Sequence, residues 1–285
     1  MAFNKNEVIL DRVRSLTCHD LETKKMLMRL TSLEDSSLNC TAEGEEITDA
    51  IGALITTLYR AKKATFSASN SLVSLDLAAA QYGAKKEVAS SSNKVIDYAY
   101  EILKIETETT GTGDEAITTV KPIKLAHAPV DASTKWIYKI ENNEVGEPIA
   151  VGAAAADATT DENGNPVPAT AIIDKDGNIT LPPSMKSGKI YVEYIYETEN
   201  AVRVVNKASE FPSAVSVVVY AYFRDVCNEN KLYSGKIVCP KAKLNPESVE
   251  LALTSTGKHP FEFVINRDYC AEEGEDELFE IILSE

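Results

Sequence analysis

Ala214-Val-Ser-Val-Val-Val-Tyr-Ala-Tyr-Phe223 sets the architecture of this chain. Its β-branched and aromatic side chains concentrate and alternate with the period of two that strands use. The same signature returns in Gly235–Cys239, Ser248–Leu253, Phe261–Ile265 and Leu278–Leu283, with Asn, Gly, Pro and acidic turns between them. Short strands punctuated in this way predict a sandwich or a barrel. No reactive cluster sits among them, so the chain is expected to work by assembling rather than by reacting.

Upstream, Lys189-Ile-Tyr-Val-Glu-Tyr-Ile-Tyr196 is the strongest strand of the central region, and Asp176-Gly-Asn178 predicts a hairpin between Ala171–Ile173 and Ile179–Leu181. Ile117–Leu125 and Lys135–Ile140 read as further strands, the latter running into an Asn142-Asn143 turn. Residues 152–170 read as a loop by composition. Val95–Ile105 is apolar on alternate residues, with Ile96, Tyr98, Tyr100 and Ile102 on one side.

The first third predicts a hairpin from Leu16–Leu21 to Lys25–Leu30, a strand over Ser37–Thr41, an acidic turn at Glu43–Glu46, and strands over Ile51–Thr57 and Lys63–Ser69. Val8, Ile9 and Leu10 form either a brief helix or an arm that docks on a neighbour. One helix is predicted, with Ser74 as cap, Asp76 in the first turn, Leu75–Tyr82 as body and Gly83 as terminator. The expected fold class is therefore mainly β: an antiparallel sandwich or partial barrel with one short flanking helix. Residues 1–106 and 201–285 are assigned to its core, and 107–200 to a loop-rich β insert or an extension of the same sandwich.

At 285 residues the chain can bury a large core. The net charge is −15, and residues 107–200 carry 7 basic against 15 acidic groups, a local −8. Tight binding of nucleic acid needs a basic footprint, which is missing here, and attraction to anionic lipid is weak for the same reason. Five cysteines, at 18, 40, 227, 239 and 270, form no CxxC pair and read as reduced apolar fillers. No apolar h-region follows Met1, and the longest apolar run is about half a membrane span, so a soluble, non-exported protein is expected.

The candidate chemistry is thin. Asp174, Asp176 and Asn178 match the first alternate ligands of a calcium loop, but Ile179 stands at its required glycine and Met185 at its closing glutamate. A hairpin turn is the better account. Cys18-His19-Asp20 holds the residue types of a nucleophile, a base and an orienting carboxylate, yet neighbours on a strand point to opposite faces. Three histidines without HxxxH spacing give no zinc site. Gly111-Thr-Gly113 and Gly257-Lys258 lack the partners of nucleotide loops, and Ser91-Ser-Asn-Lys94 lacks the companion motifs of a serine acylation site. The five carboxylates of Glu272–Glu277 read as a solvated hairpin tip. No catalytic residue, cofactor or metal is assigned.

Two blocks carry a resemblance. Leu27–Asp35, Ser37–Glu43 and Ile51–Asn70 form the first; Gly257–Phe263, Asp268–Cys270 and Leu278–Leu283 form the second. In this order they resemble bacteriophage tail tube (major tail) proteins. That resemblance implies a homo-oligomer of rings stacked into a tube in the virion tail, assembled in the host cytoplasm and joined to other tail proteins. Genomic DNA would pass through its lumen without tight binding, and no membrane is involved. Candidate interface residues are Val8, Ile9 and Leu10 of the amino-terminal arm and Leu54, Ile55, Tyr59 and Phe66 of the following hairpin. The rival expectations are a capsid decoration or tail terminator protein, and a β-sandwich carbohydrate-binding module. Exposed coplanar aromatics beside paired carboxylates would mark the latter.

Overall fold

The computed structural model describes residues 7–110, 117–130, 136–226, 228, 230–247, 249–251, 254, 257–268 and 277–284. In chain order the elements are β1 (Val8–Asp20), β2 (Met26–Leu30), β3 (Leu33–Thr48), β4 (Leu54–Asn70), α1 (Leu75–Tyr82), β5 (Glu87–Val88), β6 (Val95–Ile105), β7 (Thr107–Thr110), β8 (Ile117–Val120), β9 (Ile123–Lys124) and β10 (Trp136–Glu141). They continue as β11 (Glu144–Val151), β12 (Thr159–Thr160), β13 (Pro166–Val167), β14 (Thr170–Ile173), β15 (Asn178–Thr180), β16 (Gly188–Thr198), β17 (Val202–Arg203), β18 (Ala214–Asp225), β19 (Leu232–Leu244), β20 (His259–Ile265) and β21 (Glu280–Ser284). The chain divides into two compact units: residues 1–86 with 204–285, and residues 87–203.

Unit 1 is built on one sheet in the order β2-β1-β18-β19-β20-β4-β3, with β21 added beside β19. β18 lies inside it, flanked by β1 and β19 along nearly its whole length. Val215, Val217, Val219 and Ala221 point to the core while Ser216, Val218 and Tyr220 do not, as the alternation predicts. The sheet curls until β1 comes near β3, giving a nearly closed partial barrel. Its core holds Leu16, Phe66, Val217, Val219, Phe261 and Phe263, all at most 5% exposed. Side chains buried to this degree each contribute about 1.5–3 kcal/mol.

The helix forms as its caps dictate. Ser74 Oγ accepts from the Leu77 amide at 3.2 Å, and Gly83 turns left-handed (φ 68°) to close it. Leu77, Ala78, Ala79 and Gln81 face inward, so α1 covers one end of the barrel.

Several strands depart from expectation. Val8–Leu10 belongs to neither a helix nor a free arm: it is the start of β1, paired to Phe223–Asp225. Glu43–Glu46 is strand rather than turn, because β3 continues to Thr48 and the reversal falls at Asp49–Ala53. Asp49 Oδ1 makes that reversal by accepting from the Ile51 and Ala53 amides at 3.0 and 2.8 Å. The two strands read at Ile51–Thr57 and Lys63–Ser69 are one, β4, which passes through a left-handed Ala61 (φ 48°). Ile117–Leu125 is broken at Lys121-Pro122 into β8 and β9, since proline cannot donate to a ladder. Val249, Glu250 and Leu251 are not in a strand. The remainder of the strand read there, the Gly111–Gly113 stretch, Lys135, Cys227, Cys270 and most of the Glu272–Glu277 tip lie outside the described residues.

Unit 2 centres on a sheet in the order β6-β16-β10-β11-β14-β15-β9. The hairpin at Asp174–Asn178 joins β14 to β15, and Asp174 Oδ1 accepts from the Asp176 and Asn178 amides. The supposed calcium ligands thus serve the turn. The loop read at 152–170 contains a short hairpin, β12 to β13, with two residues in each strand and its turn closed around Asp161. Ile137, Ile190, Val192 and Ala171, none of them exposed, form the unit's core.

Candidate assembly interface

In the β3–β4 hairpin, Leu33–Thr41 and Ala64–Asn70 lie in the barrel wall, where β20 continues the sheet beyond β4. From Thr41 to Lys63 the two strands pair only with each other among the described residues. Almost every side chain there is exposed, on both faces. Leu54 (58%), Ile55 (64%), Leu58 (44%) and Tyr59 (76%) are all exposed, Leu58 and Tyr59 as strand neighbours on opposite faces, and Ile51 caps the tip at 90%. Gly44 lies opposite Tyr59, and a Cβ at Gly44 would come within 3.3 Å of that ring. The missing side chain lets the phenol lie across the ribbon.

An isolated two-stranded ribbon is marginal in water. Here it also holds apolar groups on both sides, so neither face is hidden by its own subunit. Ion pairs brace it instead: Lys63 to Glu43 at 2.9 Å, and Arg60 to Glu45. Exposed pairs of this kind contribute about 0–1 kcal/mol. They hold the strands in register without covering the apolar side chains.

Free edges accompany the ribbon. β2 pairs β1 only over Leu16–His19, so the Val8–Val13 half of β1 has one side open among the described residues. Ile9 and Leu10 are half exposed there. Among the described residues β21 pairs β19 alone, and it exposes Ile281 and Ile282. Unpaired edges of this length template pairing with another chain.

The residues expected at the interface therefore separate. Ile9, Leu10, Leu54, Ile55 and Tyr59 are on the surface, and Val8 is half-buried. Phe66 is corrected to a core residue, 2% exposed, because β4 enters the barrel wall after Lys63 and its period-two face turns inward. Ile51, Leu58 and Ile47 belong with the surface set and were missed. The turn chemistry of Asp49-Ala-Ile-Gly52 was the signal that should have placed Ile51 at a tip.

Cys18, His19 and Asp20 do separate jobs. Cys18 is buried in the barrel, and burial pushes its thiol well above the ordinary range, which disables it as a nucleophile. Asp20 Oδ1 accepts from the Thr23 amide (2.7 Å), the Thr23 hydroxyl and the Glu22 amide in the β1–β2 turn. These bonds, that of the Thr23 amide foremost, hold its carboxyl below the usual range.

Unit 2 has an exposed surface of its own. Tyr98 (75%), Tyr100 (68%), Ile96 (47%) and Ile102 (59%) form the outward face of β6, as their spacing predicts. Tyr191 of β16 stacks on Tyr100 with centroids 5.8 Å apart and Tyr138 of β10 tilts against it. The Tyr191 hydroxyl donates to Glu193 at 2.6 Å, which pushes its pKa up to about 12.

A barrel with one capping helix, open edges and a two-faced apolar ribbon has the features of a structural subunit. The chain belongs to the YomU/Tube protein family, whose profile matches residues 8–275. This is a phage tail tube family, so the protein is a structural protein of the tube type. No curated protein matches the chain. No helix among the described residues is long and apolar enough to cross a membrane.

Proposed function

We propose that this chain is the subunit of a tail tube whose copies pair through open β edges into rings and stack through the β3–β4 ribbon. The observation that carries this reading is the ribbon, with its apolar side chains exposed on both faces. A self-contained subunit would bury such groups, and a neighbour on each side would cover them. Each buried aliphatic or aromatic side chain then contributes about 1.5–3 kcal/mol.

The conduit is electrostatic. With a net charge of −15, the assembled wall repels phosphate and leaves DNA free to slide. The subunits assemble in the host cytoplasm, join other tail proteins and end in the virion tail. Negative-stain microscopy of purified protein, over a range of concentrations, tests this. Stacked rings or hollow filaments are expected. Single rings at every concentration would mean a terminator or decoration protein, and a monomer throughout would overturn the reading.

A second reading applies to unit 2 and rests on the near-parallel Tyr100 and Tyr191 rings beside Glu193. Aromatic platforms with adjacent hydrogen-bonding groups hold sugar rings, so unit 2 would bind glycan. Tryptophan and tyrosine fluorescence titrated with host-envelope polysaccharide tests this. An unchanged signal at saturating glycan removes the reading.

A further inference from the structure

We infer that unit 2 takes a neutral, extended, β-linked polysaccharide laid across its strands, along the row Tyr100–Glu193–Trp136. This rests on the glycan reading of unit 2 given above, and names the sugar class, its direction on the sheet and the residues that hold it.

Register sets the row. Glu193 of β16 pairs with Tyr100 of β6 on one side and with Trp136 of β10 on the other, and residues directly opposite share a face. Val192 and Ile137, adjacent to Glu193 and Trp136 in their strands, are fully buried, so the row itself points outward. Tyr100 is 68% exposed and Trp136 43%. Neighbouring strands lie about 4.8 Å apart, so the two aromatic residues stand roughly 10 Å from each other with the carboxylate midway. That spacing matches the two-sugar repeat of an extended β-linked chain, in which every second ring presents the same way.

The chemistry of the row selects a sugar over an apolar protein surface. Glu193 Oε1 accepts from the Tyr191 hydroxyl at 2.6 Å, and Oε2 has no partner among the described residues. An apolar partner would bury that carboxylate with a single donor, which is costly. A sugar brings hydroxyl donors to Oε2 and apolar C–H faces to the flanking rings, so both kinds of surface are satisfied together. Tyr191 does the positioning: its ring stacks on Tyr100 and its hydroxyl orients Glu193. One residue thus holds two members of the row ready before ligand arrives.

Charge selects a neutral sugar. On the outward face of β6, β16 and β10 the other charged side chains are Lys104 and Lys189, opposite each other at one end, and Glu197 at the other end. Lys189 and Glu197 each lie four residues from Glu193 along β16, roughly 13 Å away at the usual rise. Lys104 is also drawn to Glu106, at 3.7 Å. An acidic sugar seated on the row would therefore meet Glu193 at contact and a lysine only at a distance, so repulsion prevails.

Trp136 is the only tryptophan of the chain, so tryptophan emission of the full-length protein reports on this row alone. At least one of cellohexaose and chitohexaose, both neutral and β-linked, is expected to shift that emission saturably, and hexagalacturonate to leave it unchanged. Tyr100→Ala and Glu193→Ala, checked for intact folding by their melting curves, are each expected to weaken that binding about tenfold. Calorimetry alongside separates this inference from the glycan reading beneath it. Binding heat with emission unmoved, or full affinity in Tyr100→Ala, would overturn the row and leave unit 2 a glycan binder. Hexagalacturonate binding as tightly as the neutral sugars would overturn the neutral class. Neither heat nor shift with any of the three sugars would remove the glycan reading as well.

Discussion

His259 Nε2 lies 2.7 Å from Gln81 Oε1, and both side chains are almost fully buried where α1 meets the start of β20. Gln81 Nε2 in turn donates to the Pro260 carbonyl, so one amide ties helix to strand twice. Nδ1 of His259 is buried with no partner among the described residues, which fits a neutral ring whose Nε2 carries the proton.

That arrangement makes the fold sensitive to acid. Burial pushes the imidazole below its ordinary 6.5, whereas the unfolded chain titrates near that value. Above it the ring is neutral in both states and the contribution is complete. As pH falls below it, the unfolded chain takes up a proton that the folded one resists, and stability is lost towards the lower folded value. Unfolding midpoints measured from about pH 8 to about pH 5 should decline, and His259→Leu should flatten that decline. An equal slope in the variant would remove His259 as its source.

Gly83 and Gly52 are both left-handed, at φ 68° and 85°, but only one is crowded. A Cβ on Gly83 would stand 2.3 Å from the backbone of Phe211, whereas one on Gly52 meets nothing within 4 Å. Gly52→Ala should cost about 1–2 kcal/mol, the conformational term alone. Gly83→Ala should cost about 3 kcal/mol or more, since the clash adds to it. Urea melts of the two variants give the comparison.

Phe66 and Leu54 lie on one strand with opposite fates. Phe66→Ala should lose about 3–5 kcal/mol from the barrel core. Leu54→Ser should leave subunit stability within about 0.5 kcal/mol and instead alter sedimentation at high concentration. A destabilised Leu54→Ser subunit would mean the ribbon is covered by its own chain.

In unit 2, Glu101 Oε1 accepts from the Tyr194 hydroxyl at 2.5 Å and from the Ala126 amide at 2.9 Å. The Tyr194 oxygen also accepts from the His127 amide at 3.2 Å. Burial and the adjacent carboxylate push the Tyr194 pKa well above its ordinary value. Glu101→Leu removes the acceptor from both donors and should cost about 1.5–3 kcal/mol, read as an earlier unfolding transition of unit 2.

Much of this was legible from side-chain order. The alternation in Ala214–Phe223, the caps Ser74 and Gly83 and the Asp174–Asn178 turn each have a local cause, and each forms where expected. The β3–β4 ribbon was not legible, because period-two reading assumes one buried face. From Thr41 to Lys63 neither face is buried, so acidic residues there looked like a turn. Phe66 was misplaced for the complementary reason: the point where β4 enters the wall is set by its pairing with β20, some 200 residues away in sequence. The roles of His259 and Gln81 needed the same long-range pairing to be seen.

Unit 2 occupies 87–203, between the two halves of unit 1. Arg14 of β1 and Tyr222 of β18, joined by a 2.9 Å hydrogen bond, are 208 residues apart in the chain. During translation at about 5–20 residues per second, some 10–40 s separate the emergence of these strands. Through that interval the nascent chain can complete the inserted unit but not the barrel wall. The barrel therefore closes only after the insert has emerged, whereas the β3–β4 hairpin, whose strands are neighbours in sequence, can pair before it.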